Sequence, residues 1–113
     1  MSVILDLAIF PTDQGASVSG FVAPVIAMIR DSGHAYHLSP MGTAVETATL
    51  PEALELIARA QSLLDERGCS RVYAIAKFDI RQGALGRLNG KIEAIHERIG
   101  DVHAVHPDLV PQS

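Results

Sequence analysis

Two segments with the pattern of β-strands, one at the start of the chain and one in its second half, limit the possible folds more than any other feature. Ser2–Phe10 is a short β-branched and aromatic run that stops at the turn-forming residues 11–15, which is typical of a buried strand. Arg71–Arg81 alternates instead, because successive side chains of a strand point to opposite faces of a sheet. Its first face carries Val72, Ala74, Ala76, Phe78 and Ile80, and its second face carries Tyr73, Ile75, Lys77, Asp79 and Arg81. The mixed second face indicates a sheet with one face against a core and one face open.

Apolar residues at helical spacing follow the first strand and predict a helix. Ser17 or Ser19 can cap this first helix, and residues 31–33 end it. Pro24 lies inside it and pushes on the carbonyl of Gly20, so we expect a kinked first turn or a start later than Ser17. The apolar residues that recur at helical spacing are Val18, Val22, Val25, Ile26 and Ile29.

Two further helices are predicted later in the chain. Thr49 and Glu52 fit a capping box, with Pro51 in the first turn and Gly68 just past the last turn. A narrower apolar stripe ends at Gly100 and predicts the last helix. The residues of this stripe are Leu88, Ile92, Ile95 and Ile99.

Two short strands, Tyr36–Leu38 and Thr43–Thr49, complete the pattern, and residues 39–42 join them as a hairpin or a bulge. The resulting order predicts an α+β fold, a ferredoxin-like βαββαβ sandwich with an additional C-terminal helix. We expect a single domain over residues 1–100 and a loosely ordered tail over residues 101–113. Helices would cover one face of an antiparallel sheet, so a partner subunit or a ligand is expected on the other.

Charge and composition argue against several functions. The net charge of −4 and the aromatic content of 4% argue against a nucleic-acid-binding face. No apolar run approaches the ~18 residues of a membrane-spanning helix. No basic segment precedes the first apolar run, and Cys69 is the only cysteine, so we expect a cytoplasmic protein. The mean hydropathy of +0.22 is high for a small monomer and predicts a homodimer or a homotetramer.

Charged residues inside apolar strands are the main candidates for a site. Asp6 lies in the first strand, Glu46 in the third, and Lys77 and Asp79 in the fourth. Charges in a sheet are costly unless they are paired or bound to something polar. The pattern therefore indicates either a solvated face with a Lys77–Asp salt bridge or a ligand pocket. The five histidines have no recognised metal-ligand spacing, and no nucleophile–base pair is visible.

Several short motifs follow one another in a fixed order along the chain. They are Ile9–Asp13 (IFPTD), Tyr36–Thr43 (YHLSPMGT), Glu46, Lys77–Arg81 (KFDIR) and Gly90–Ile92 (GKI). In this order they resemble the small thiamine-binding proteins of ferredoxin-like fold. The resemblance runs from Ser2 to about Ile99, and its most specific part is the Pro-Met-Gly-Thr turn followed by glutamate.

The resemblance implies a soluble carrier or sensor that binds thiamine or its hydroxymethylpyrimidine half, without catalysis and without another cofactor. It also implies assembly through the sheet into dimers or tetramers. Glu46, Thr43 and Ser39 could hold an aminopyrimidine through hydrogen bonds. The full set of predicted ligand-binding residues is Ser39, Met41, Gly42, Thr43, Glu46, Lys77, Asp79 and Asp6. Two alternatives stay open at this point: a small metabolic enzyme and an oligomeric interaction module without a ligand.

Overall fold

Four strands and three helices make up residues 1–102, the part of the chain that the computed structural model describes. The strands are β1 (Ser2–Pro11), β2 (Ala35–Ser39), β3 (Gly42–Thr47) and β4 (Val72–Arg81). The helices are α1 (Ser19–Asp31), α2 (Leu50–Glu66) and α3 (Arg87–Ile99), and none of these three is long and apolar enough to cross a membrane. The predicted tail at residues 101–113 lies outside the described residues from position 103 onward.

The strands lie in the order β2-β3-β1-β4, and every neighbouring pair is antiparallel. This arrangement, with a helix after β1 and another after β3, confirms the predicted ferredoxin-like sandwich and its additional C-terminal helix. β1 is central, and its Leu5 lies opposite Val45 of β3 and Phe78 of β4. Because neighbouring side chains of a strand alternate, we call the face with Leu5 the helix face and the face with Asp6 the open face.

The core lies between the helix face of the sheet and the helices α1 and α2. Every second residue of β1 is buried there, namely Val3, Leu5, Leu7 and Ile9. Helix α2 covers them with a buried stripe whose residues recur every three or four positions. The stripe consists of Ala53, Leu56, Ala60 and Leu64. Burying each of the larger side chains stabilises the fold by roughly 1.5–3 kcal/mol.

The ends of α2 form as the sequence predicts. The Glu52 N–H donates to the Thr49 hydroxyl at 3.3 Å, and that hydroxyl donates to the Glu52 carboxylate at 2.8 Å. Gly68 follows the helix with φ of +82°, a conformation that costs glycine little. These local interactions fix where the helix begins and ends, and thereby the entry point of β4.

Helix α1 begins at Ser19, later than Ser17, and contains Pro24. Its N-cap residue is Val18, and no side chain of residues 1–102 caps the helix, so neither Ser17 nor Ser19 has the predicted capping role. The first turn of α1 therefore keeps N–H groups that no capping side chain satisfies.

Strand β4 and helix α3 extend beyond the part of the sheet that α1 and α2 cover. Every residue of β4 after Val72 is exposed, because β4 is an edge strand and both of its faces reach solvent in the single chain. Helix α3 then returns to the open face, where it packs against β1 and β3. The open face is thus partly covered by the chain itself, at the end of the sheet where β1 begins.

Candidate functional site

A cavity of about 400 Å³ lies beneath α1, on the helix face of the sheet. The last part of β1, from Leu7 to Phe10, forms one wall, and α1 forms the opposite wall. The third wall is the β2–β3 hairpin, which contributes residues 38–43. We call this space the α1 cavity. Its volume falls in the range of roughly 300–1,000 Å³ that is typical of small-molecule sites.

The apolar stripe of α1 lines this cavity. Val25 and Ile29 are buried, whereas Val18, Val22 and Ile26 are only half-buried, although all five face the same side of the helix. A helical period identifies the inward side of a helix but not the distance to the facing surface. The sequence therefore identified these residues without revealing that they enclose a cavity.

The β2–β3 hairpin brings four of the predicted ligand-binding residues to the α1 cavity. Ser39, Met41, Gly42 and Thr43 all line it. The Ser39 hydroxyl donates to the Gly42 carbonyl at 3.1 Å and accepts from the Met41 N–H at 3.2 Å, which holds the turn in one conformation. Thr43 is buried, whereas Met41 is 87% exposed. The Met41 thioether can therefore pack on a ring at the edge of the cavity.

Gly42 lies where a side chain would collide with β1. A Cβ atom at this position would be 3.0 Å from the Leu7 carbonyl oxygen and 3.4 Å from a carboxylate oxygen of Asp6. The Leu7 carbonyl belongs to the central strand and has little freedom to move away. Glycine therefore lets the hairpin approach β1 this closely, because any side chain would push the two strands slightly apart.

Glu46 lies on the open face, and the start of α3 holds its carboxylate. Oε2 accepts from the Gly86 N–H at 3.0 Å and from the Arg87 N–H at 3.1 Å, and Oε1 accepts from the Leu88 N–H at 3.3 Å. The Ser2 hydroxyl also donates to Oε2. A helix N-terminus offers unpaired N–H groups and the positive end of the helix dipole. These partners explain how the side chain of Glu46 can be buried and charged.

Arg87, whose backbone N–H donates to Glu46, also contacts the strands β1 and β4 through its side chain. Its Nη1 lies 2.8 Å from the Asp79 carboxylate, and its Nη2 donates to the Ser2 carbonyl at 2.8 Å. Its Nε donates to the Ser2 hydroxyl at 3.1 Å. We call Ser2, Glu46, Asp79 and Arg87 the Glu46 cluster. Sequence reasoning missed Ser2 and Arg87, because no spacing pattern relates residues that are 85 positions apart.

The pKa of the Glu46 carboxyl is lowered from its ordinary value. Burial by itself raises this pKa, but the hydrogen bonds from Ser2 and from the backbone of Arg87, Leu88 and Gly86 together outweigh burial. The group is therefore ionised at neutral pH, with both oxygens engaged by the protein. Glu46 does not line the α1 cavity, and its contact with a ligand stays a prediction.

The remaining predicted ligand-binding residues lie on the open face. Asp6 and Lys77 are directly opposite each other on β1 and β4, with Lys77 Nζ 3.5 Å from Asp6 Oδ2. Both side chains are well exposed, so the pair contributes at most about 1 kcal/mol to stability. Asp79 belongs to the Glu46 cluster. The structure thus places Asp6, Lys77 and Asp79 outside the lining of the α1 cavity, and their role in binding a ligand also stays a prediction.

The strand order and the covered helix face define the chain as a ferredoxin-like α+β protein with a cavity between its first helix and its sheet. A family model described as thiamine-binding protein matches residues 5–96. The match covers most of the chain, so this protein belongs to the thiamine-binding protein family.

Individual relatives agree with this assignment. A UPF0045 protein of Methanothermobacter thermautotrophicus is 30% identical over 98 residues, which are 86% of this chain and 99% of the relative. The solved structure of a hypothetical protein of Methanocaldococcus jannascii is similar with a TM-score of 0.72 and 29% identity, over 85% of this chain and 97% of that one. A Thermotoga maritima protein proposed to act in thiamine biosynthesis or salvage has a TM-score of 0.71 over 84% of this chain and 99% of its own. At 18% identity, this last likeness shows the fold alone.

Proposed function

We propose that this protein binds thiamine or its hydroxymethylpyrimidine half in the α1 cavity, as a carrier or sensor that does not transform the ligand. The observation that carries the proposal is the thiamine-binding family model, whose matched residues 5–96 include all the residues that line the cavity. The family assignment supplies the class of ligand, and the cavity supplies a place for it.

The chemistry of the cavity suits a flat heteroaromatic ring. Its walls are mostly apolar, as the valines and isoleucines of α1 face Leu7 and Ile9 of β1. The hydroxyl groups of Ser39 and Thr43 lie at the hairpin side. An aminopyrimidine offers an amine that donates and ring nitrogens that accept, and hydroxyl groups can serve both. Ring stacking on apolar walls with a few oriented hydrogen bonds is the usual composition of a small-molecule site.

Calorimetric titration of the native protein tests this function. We expect saturable binding of thiamine or of hydroxymethylpyrimidine, with at most one site per chain in the α1 cavity. Mass spectrometry of the incubated ligand should return it unchanged, because no nucleophile–base pair lines the cavity among the described residues. Absence of binding by every thiamine-related compound would contradict the proposal. A mass change in the ligand would instead support the alternative of a small metabolic enzyme.

The proposal includes self-association through β4. This edge strand exposes large apolar side chains on both faces, with Phe78 39% and Ile80 49% exposed on the helix face, and Tyr73 52% and Ile75 48% exposed on the open face. A long apolar edge strand invites pairing with another chain unless it is covered. A second copy of this chain, placed against β4, would pair the strand edge and reduce the exposure of these side chains.

Light scattering is expected to give a mass two or four times the 12.1 kDa of one chain at micromolar concentration. Replacing Ile75 with glutamate should dissociate this assembly, since a buried unpaired carboxylate is costly at an interface. The matched control is Leu54→Glu on α2, because Leu54 is also 48% exposed but lies far from β4 in the sequence and on another element. A native mass of one chain would refute self-association, and equal dissociation by both variants would refute the role of β4.

A further inference from the structure

We propose that the α1 cavity selects unphosphorylated ligands: it admits the heteroaromatic compound without a phosphate group and rejects the phosphate ester of the same compound. This inference rests on the proposed function and specifies the chemical form of the ligand. It comes from the side chains that line the cavity, and it concerns the discrimination between two ligands that differ only in one phosphate group.

Among the described residues, the lining of the cavity contains no charged side chain. Its polar side chains are the hydroxyl groups of Ser19, Ser39 and Thr43, and all its other side chains are apolar or absent. A phosphate group that leaves water needs compensating positive charge, which proteins usually supply with arginine or lysine. Hydroxyl groups alone do not offset the loss of hydration of a dianion.

Within the part of the chain that the structure describes, the N-terminus of α1 is the one positive feature of the cavity wall. Val18 is its N-cap residue, and no acidic side chain lies in its first turn. The dipole of a helix corresponds to roughly half an elementary charge at this end. A phosphate monoester carries about −1.5 to −2 charges at neutral pH, so the helix end can compensate only a part of it. The net charge of −4 of the whole chain repels anions further.

Paired titrations test the inference. Hydroxymethylpyrimidine is compared with its phosphate, and thiamine with thiamine monophosphate, by calorimetry at the same pH and ionic strength. We expect each phosphate ester to bind at least about tenfold more weakly than its parent compound. Equal or tighter binding of the esters would overturn the inference while leaving the proposed function intact. Failure of all four compounds to bind would overturn both.

A variant that adds a positive charge at the cavity tests whether the missing charge causes the discrimination against phosphate esters. Ser19→Lys places an ammonium group beside the start of α1, and Ser19 is exposed, so the substitution is compatible with the fold. We expect the ratio of phosphate-ester affinity to parent-compound affinity to rise about five- to tenfold in this variant, relative to the native protein. The matched control is Ser17→Lys, which is exposed and does not line the cavity. An equal gain in both variants would show that overall charge sets the discrimination and would overturn the role of the cavity.

Discussion

Replacing Glu46 with glutamine is expected to lower the free energy of unfolding by about 2–4 kcal/mol. The carboxylate accepts hydrogen bonds from three backbone N–H groups at the start of α3 and from the Ser2 hydroxyl. A glutamine side chain has the same shape but presents an NH₂ group in place of one oxygen. That group would face N–H donors and leave some of them unpaired in a buried position. Urea denaturation followed by circular dichroism measures the change.

The matched control for this variant is Glu55→Gln on α2. Glu55 is exposed, so the same chemical change should alter the free energy of unfolding by less than about 0.5 kcal/mol. A similar stability for Glu46→Gln and the native protein would contradict the hydrogen bonds that we describe. Binding of hydroxymethylpyrimidine to Glu46→Gln, measured where the variant is folded, should match the native affinity, because Glu46 lies outside the α1 cavity. A loss of affinity would support the direct contact that the sequence predicts.

The same carboxylate makes stability depend on pH. The pKa of Glu46 is lower in the folded protein than its ordinary value of 4.5, so the folded state binds fewer protons than the unfolded state in this range. The contribution of Glu46 to stability is therefore complete above its unfolded pKa and is lost as the pH falls through its folded pKa. The difference in stability between the native protein and Glu46→Gln should shrink on acidification below about pH 4.5. A difference independent of pH would contradict the lowered pKa.

Replacing Val22 with phenylalanine is expected to weaken ligand binding by about 100-fold or more, which corresponds to about 2.7 kcal/mol. Val22 is half-buried and faces the α1 cavity, so the added ring would occupy space that a ligand needs. Filling a cavity with apolar atoms does not cost stability where the ring fits without strain. The thermal midpoint of the variant should therefore equal or exceed that of the native protein.

Ala23→Phe is the matched control, because Ala23 is the next residue of the same helix, is exposed and does not line the cavity. It adds the same ring on the outer side of α1 and should bind thiamine or hydroxymethylpyrimidine with native affinity. Native affinity in Val22→Phe would place the ligand elsewhere. The open face with Asp6 and Lys77, which the sequence also indicated, would then be the next place to examine.

The sequence predicted those parts of the fold that depend on neighbouring residues. The Thr49–Glu52 capping interaction, Gly68 after α2 and the hairpin between β2 and β3 all depend on residues a few positions apart. The apolar run of residues 2–10 likewise predicted a buried strand, and the structure buries Val3, Leu5, Leu7 and Ile9 on the helix face of β1.

Features that depend on distant residues were not accessible in this way. The pattern of β4 indicated which side chains share a face, but not that the helices stop short of this edge strand. The period of α1 indicated its inward side, but not that Val22 and Ile26 enclose a cavity. The sequence predicted that the charge of Glu46 is costly in a sheet unless it is paired. The structure shows that backbone N–H groups at the start of α3 donate to its carboxylate. Which groups pair with Glu46 depends on where α3 packs after β4, and no pattern of neighbouring residues predicts this position.

The Glu46 cluster also bears on the order of events in folding. Its members come from β1, β3, β4 and the start of α3, and the contacts of Glu46 and Ser2 in it join residues that are at least 40 positions apart. Contacts between residues so far apart in the chain are costly in loop entropy and tend to form late. We therefore expect α3 to dock after the main folding barrier has been crossed. Interactions absent from the transition state act on the rate of unfolding. Loss of the buried carboxylate is thus expected to raise the rate of unfolding more than it lowers the rate of folding.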